Sequence, residues 1–255
     1  MLNIGIWDVA WVIVVATQAT LTAYVTHPQS KALLITIPLP FSVAFLALGQ
    51  PVESTHILAS AMLLPFMLVV RFLHVNLRQH IVVGLVSAVL LFAATGTLAT
   101  RFLPKSAACF YIIMIAVFVL GSVLVFAMPR REEPGHRSTM PVWLKLLLIV
   151  GGILLLIQAK QMLRGFVTLF PLVSVVAAYE ARKSLYTMVR QVPVKMVVTS
   201  LMMLGMYLTQ PVVGVFGSLI VGWCIFGIAL PVVSYFKDAR LPDIDAPAPL
   251  PLDDR

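Results

Sequence analysis

Thr36-Ile37-Pro38-Leu39-Pro40-Phe41-Ser42-Val43 is the stretch on which the fold of this chain turns. It returns loosely as Thr168-Leu169-Phe170-Pro171-Leu172-Val173-Ser174-Val175. A second segment, His80-Ile81-Val82-Val83-Gly84-Leu85-Val86-Ser87, returns more closely as Gln210-Pro211-Val212-Val213-Gly214-Val215-Phe216-Gly217. Both pairs share an offset of roughly 130 residues, which points to one duplicated unit. Each copy of the first stretch sets proline inside an apolar run. Proline removes a backbone donor and disfavours helix just before it. In lipid, the freed carbonyls then need a protein or water partner.

The surrounding composition makes lipid the expected solvent. Of 255 residues, 60% are hydrophobic and 11% charged, where a soluble domain carries about 25% charged residues. Mean hydropathy is +1.01. Several apolar runs reach the ~18 residues that mark a membrane span. The first run contains Asp8, lacks a basic leader region and reads as a span rather than a cleavable signal. The net charge of +8 fits basic loops on one membrane face, and no nucleic-acid partner is expected. Cys109 and Cys224 each sit in an apolar run without ligand spacing, so they read as buried small hydrophobes.

The expected fold is an all-α polytopic membrane protein of about nine transmembrane helices. The spans fall near 4–25, 31–49, 54–74, 79–99, 106–128, 142–161, 165–179, 184–208 and 211–235. The fifth has no counterpart in the second half. The layout is therefore residues 1–104 as a first four-helix repeat and 105–129 as a linking, inverting helix. A cytoplasmic linker at 130–141, a second four-helix repeat at 142–236 and a disordered tail at 237–255 complete it. An odd number of helices between equivalent points turns the second copy upside down, an arrangement common in transporters.

Loop charge gives the orientation. One side collects Lys31, Arg78, Arg130, Arg131, Arg137, Arg182, Lys183, Lys237 and Arg240. The other collects Arg101, Lys105, Lys160 and Arg164. The positive-inside rule places the linker and C-terminus in the cytoplasm and the N-terminus outside. Trp7, Trp11 and Trp143, near span ends, read as interfacial anchors, and Trp223 as packing.

Arg190 and Lys195 stand out because they fall inside an apolar run. They lie roughly 10 and 18 Å beyond Lys183 along a helix. A charge near the bilayer centre costs at least ~2.5 kcal/mol and usually faces a bundle interior or aqueous cavity. They are candidates for drawing in an anion. The plainer alternative has Arg190 snorkelling on an interfacial stretch, 180–192, that ends at Pro193. Pro38, Pro40 and Pro171, with Ser42 and Ser174, are the candidate substrate contacts at the broken spans. Asp8, Glu53, His56 and Glu180 are candidates for ion coupling. Against that role, Glu53 and His56 flank good N-cap types in Ser54 and Thr55. Glu180 with Arg182 and Lys183 reads better as a solvated turn. Gln18 and Gln158 read as interhelical hydrogen-bonding groups. Zinc-protease, phosphate-loop, nucleophile-elbow and Cys-x-x-Cys motifs are missing, so no enzyme, no catalytic residue, no metal site and no cofactor is expected.

The second half carries a family resemblance. Leu155-Leu156-Ile157-Gln158, Gly165-Phe166-Val167-Thr168-Leu169-Phe170-Pro171-Leu172-Val173-Ser174, Ala177-Ala178-Tyr179, and Pro211 through Ser218 with Trp223 resemble the GlpM-type small bacterial membrane proteins. That family is about half this length, with roughly four spans, and is associated with glycerol metabolism and alginate production. The resemblance covers approximately 142–235 and departs in the first half, at Ile37-Pro38-Leu39-Pro40. It implies a fusion of two four-span units through one extra helix, and a bacterial inner-membrane location. It brings no binding residues.

The expected function is a permease for a small polar, anionic solute, with its path between the repeats. Its partners are the lipid bilayer, the solute, H+ or Na+ for coupling, and a homodimer mate. The alternative is a non-transporting scaffold or accessory subunit in envelope or exopolysaccharide biogenesis.

Overall fold

The structure, a computed structural model, describes residues 5–129, 133 and 142–239. Every element among them is a helix. In order they are α1 (Ile6–Tyr24), α2 (Pro28–Thr36), α3 (Leu39–Leu48), α4 (Ser54–Arg71), α5 (Ile81–Phe102) and α6 (Ala107–Ala127). Then follow α7 (Val142–Leu163), α8 (Gly165–Thr168), α9 (Leu172–Glu180) and α10 (Leu185–Ala239). A π-turn, Phe72–Asn76, extends α4. Among the described residues, six stretches are long and apolar enough to cross a membrane, including Pro28–Leu48 across its break and Leu185–Lys237. The outward face of α6 presents Ile112, Ile115, Val119 and Val123, each more than half exposed. An apolar face of that extent suits lipid rather than water. The chain is an all-α, multi-pass membrane protein.

Local chemistry sets the helix limits. Ser106 accepts from Cys109 N at 3.3 Å and starts α6, satisfying one of the donors that a helix leaves open at its N-terminus. His56 Nδ1 accepts from Glu53 N at 3.2 Å at the start of α4. Gly49, at φ 63°, ends α3 in the left-handed region.

The 55 residues of α10 are two antiparallel arms. Only Gly214 leaves helical geometry, with φ 71° and ψ −176°, a region open essentially to glycine. Lys237 Nζ reaches Gln191 Oε1 at 2.7 Å across 46 positions, which a straight helix would hold roughly 70 Å apart. A Cβ on Gly222 would meet Met206 at 2.7 Å, so the arms 185–213 and 215–239 pack closely. The turn lies at Gly214, a few residues beyond the boundary expected between 208 and 211. Pro193 stays within the helix, so the expected break after an interfacial 180–192 stretch does not occur.

Contacts sort the loops into two ends. At one, Arg71 lies 5.5 Å over the Tyr186 ring, Tyr186 Oη donates to Pro129 O at 3.0 Å, and Lys237 meets Gln191. At the other, Arg164 pairs with Glu53, Gln210 Oε1 accepts from Val52 N at 3.1 Å, and Thr100 Oγ1 donates to Met162 O at 2.9 Å. Of the loop cations expected from the sequence, Lys237 falls at the first end and Arg164 at the second, while Arg130, Arg131, Arg137 and Arg240 lie outside the described residues.

Several expectations need correction. Lys31 is buried within α2 rather than displayed in a loop, and Glu180 is fully buried rather than part of a solvated turn. Trp11 is 2% exposed and belongs to the core, whereas Trp7 and Trp143 are exposed as interfacial anchors would be. Cys109 is half-buried and Cys224 exposed, so neither is a buried core residue. The expected linker at 130–141 and most of the tail at 237–255 lie outside the described residues, apart from Glu133 and 237–239.

Candidate functional site

Two broken helices meet in the middle of the bundle. Pro38 separates α2 from α3 with φ −86° and ψ 35°. Pro171 separates α8 from α9 with φ −78° and ψ 36°. The two prolines, one position out of register in the sequence match, therefore hold nearly the same backbone conformation at the two breaks. Pro40 sits in the first turn of α3, where its missing N–H costs nothing.

A half-helix that ends in the membrane interior leaves carbonyls without intrahelical donors. Three side chains attend to the end of α2. Gln18 Nε2 donates to Leu34 O at 2.6 Å and to Ile37 O at 3.1 Å. Lys195 Nζ donates to Ile35 O at 2.8 Å. Gln191 Nε2 donates to Thr36 Oγ1 at 3.1 Å, and its own Oε1 accepts from Lys237. A cation at a helix C-terminus is favoured by the helix dipole. The ammonium of Lys195 is thus held about 15 Å along α10 from Leu185, beside the negative end of α2.

Between the breaks lies a cavity of about 30 Å³. Its lining includes Gln18, Ile35, Pro38, Pro171, Ser174 and Lys195. By volume it has room for about two water-sized groups. Gln18 Oε1 is buried with no hydrogen-bond partner among the described residues. Ser174 makes no side-chain hydrogen bond among them, and no carboxylate there pairs with Lys195. The cavity combines the Lys195 ammonium, the Ser174 hydroxyl and the Gln18 amide oxygen; Thr168, whose hydroxyl donates to Gly165 O, also lines it.

Of the residues expected at a substrate site, Lys195, Pro38, Pro40, Pro171 and Ser174 are brought together here. Ser42 is not in the lining. Its hydroxyl donates to Pro38 O at 2.9 Å and accepts from Trp223 Nε1 at 2.8 Å, so it braces the break. Arg190 lies away from the cavity and donates through Nε to Met128 O at 3.3 Å.

The coupling candidates do not converge. Asp8 Oδ2 accepts from Gly5 N at 3.0 Å and caps α1. Glu180 is buried at the end of α9. Glu53 accepts from Thr55 Oγ1 at 2.7 Å as well as pairing with Arg164. His56 is fully buried, edge-on to Phe41 and Phe45 with ring centroids 6.4 and 5.9 Å away. Its Nε2 has no partner among the described residues, and no group of three or more His, Cys, Asp or Glu there could hold a metal.

Sequence inspection missed the roles of Gln191, Arg164 and the Trp223–Ser42 pair. Gln191, Lys195 and Thr199 recur at intervals of four, which puts them along one helix face. That interval was a usable signal. Gln158, expected to act like Gln18, is exposed on the bundle surface. In comparisons with known proteins, no family model, no curated protein and no solved structure matches this chain.

Proposed function

We propose that the chain is a membrane permease for a small polar, anionic solute that passes between two related halves. The observation that carries this reading is Lys195: a half-buried cation lining a cavity between two proline breaks, with no carboxylate counterpart among the described residues. A charge drawn out of water is favoured by an opposite charge or a hydrogen-bond partner, so the remaining donors of half-buried Lys195 favour an anionic visitor. Broken helices near the midplane suit the role, because their ends expose dipoles and carbonyls to a solute.

In this proposal the chain crosses the bacterial inner membrane nine times, with the N-terminus outside and the C-terminus in the cytoplasm. The matching conformations of Pro38 and Pro171 support two inverted four-helix repeats, with α6 as the inverting helix. The two arms of α10 supply the last two spans. A fusion of two GlpM-type units through α6 is part of the same proposal. Coupling to H+ or Na+ accompanies any uphill transport, and a homodimer is the expected assembly. The test is solute flux in proteoliposomes. Flux of an anion that Lys195→Ala abolishes supports the permease; absence of flux for every anion tried, with wild type equal to Lys195→Ala, removes it.

The small volume of the cavity favours a second reading, a non-transporting scaffold or accessory subunit of envelope biogenesis. It predicts stable co-purification with partner proteins and no flux.

A further inference from the structure

We infer that the cavity takes one small monovalent inorganic anion of halide size, accompanied by a single water. This rests on the permease reading and narrows its solute class. Volume is the first constraint: about 30 Å³ admits about two water-sized groups. A carboxylate with a side chain attached, or a phosphate ester, exceeds that space.

Hydrogen-bond demand is the second constraint. An ammonium has three donors, and Lys195 directs one of them to Ile35 O. Ser174 offers a hydroxyl in the same lining. Gln18 Oε1 needs a donor, because its amide nitrogen is already committed to Leu34 O and Ile37 O. An anion alone satisfies Lys195 and Ser174 but leaves Gln18 Oε1 unmet. Water alone serves Gln18 but leaves the charge of Lys195 uncompensated. One anion with one water satisfies all three: the anion accepts from Lys195 and Ser174, and the water donates to Gln18 Oε1 and to the anion. A cation is disfavoured by the ammonium in the wall.

On this proposal the same lining selects against larger anions. Phe41, Leu63, Phe170, Pro38 and Pro171 surround the polar groups. A wall of ring and aliphatic groups takes extra atoms only by being displaced.

The experiment loads full-length protein in liposomes with chloride, fluoride, acetate or lactate and follows efflux with ion-selective electrodes or enzymatic assay. Chloride or fluoride should leave through the wild type while acetate and lactate stay. Lys195→Met should bring halide efflux to the protein-free level. Ser174→Ala should slow it about tenfold, the scale for losing a hydrogen bond to a charged group. Thr97→Ala, which does not line the cavity, should match wild type. If Lys195→Met fails to reconstitute, Ser174→Ala carries the comparison. Movement of acetate or lactate with halides retained overturns the size assignment while the permease stands. Halide efflux unchanged in Lys195→Met and Ser174→Ala overturns the site. Retention of all four anions, and of phosphate and sulfate, removes the permease reading itself.

Discussion

Arg164 and Glu53 form an ion pair that joins the α7–α8 junction to the start of α4, across 111 positions of sequence. Both side chains are mostly buried, at 15% and 14% exposure. The pair ties the second half of the chain to the first at one end of the bundle, beside the short helix that leads to the Pro171 break. Removing one partner leaves a largely buried charge, which costs more than the loss of a surface pair. Arg164→Ala and Glu53→Ala should each lower stability by about 1–3 kcal/mol. Thermal melting in detergent checks this, and the doubly swapped Glu53→Arg/Arg164→Glu variant should recover part of the loss.

Gly165 is required by its neighbours. A Cβ there would crowd Thr55 Oγ1 and come within 2.6 and 2.7 Å of His56 N and Nδ1. Gly165→Ala should destabilise by about 1–3 kcal/mol through overpacking. Gly151→Ala is the matched control, since a Cβ on Gly151 meets nothing within 4 Å. A melting curve for Gly151→Ala that drops as far as that of Gly165→Ala would refute the packing argument.

The two glutamines should separate cleanly. Gln18→Leu strips the donors from Leu34 O and Ile37 O and should cost about 2–4 kcal/mol, at 1–2 kcal/mol for each abandoned carbonyl. Gln158→Leu, on the exposed surface, should stay within about 0.5 kcal/mol of wild type. Chemical denaturation in mixed micelles gives both values.

Trp223 and Ser42 should be energetically coupled. Ser42→Ala leaves the indole N–H without its acceptor and should cost about 1–2 kcal/mol. In a double-mutant cycle with Trp223→Phe, a coupling of at least about 0.5 kcal/mol is expected. Additive losses would mean that the 2.8 Å hydrogen bond contributes nothing to stability.

Topology is open to labelling. In a background lacking Cys109 and Cys224, cysteines at Arg78 and Lys105, both exposed, should react with an impermeant maleimide from opposite sides of a vesicle. Cysteine at Lys31, 1% exposed, should react from neither. Labelling of Arg78→Cys and Lys105→Cys from one side only would break the nine-span arrangement.

The division between what was and was not legible is clear at individual residues. Pro38 and Pro171 announce helix breaks by themselves, because a missing N–H disrupts a helix whatever surrounds it. The apolar runs announce the lipid solvent for an equally local reason. Lys195 is conspicuous because charge in an apolar run is expensive. Other residues carry no such local mark. Lys31 and Glu180 resemble loop charges in sequence, yet both are buried. Ser42 and Ser174 occupy aligned positions, but one is held by Trp223 and the other lines the cavity.

By itself, then, the sequence determined the helical membrane class and the two proline breaks, since each follows from short-range chemistry along the chain. The tertiary structure decided which polar groups converge. Gln18, Ile35, Ser174 and Lys195 come from four distant segments, and their meeting depends on how α1, α2, α9 and α10 pack. Hydrophobic burial is non-directional and fixes that a core forms. The partners demanded by buried carbonyls and charges depend on the three-dimensional packing that brings them within reach.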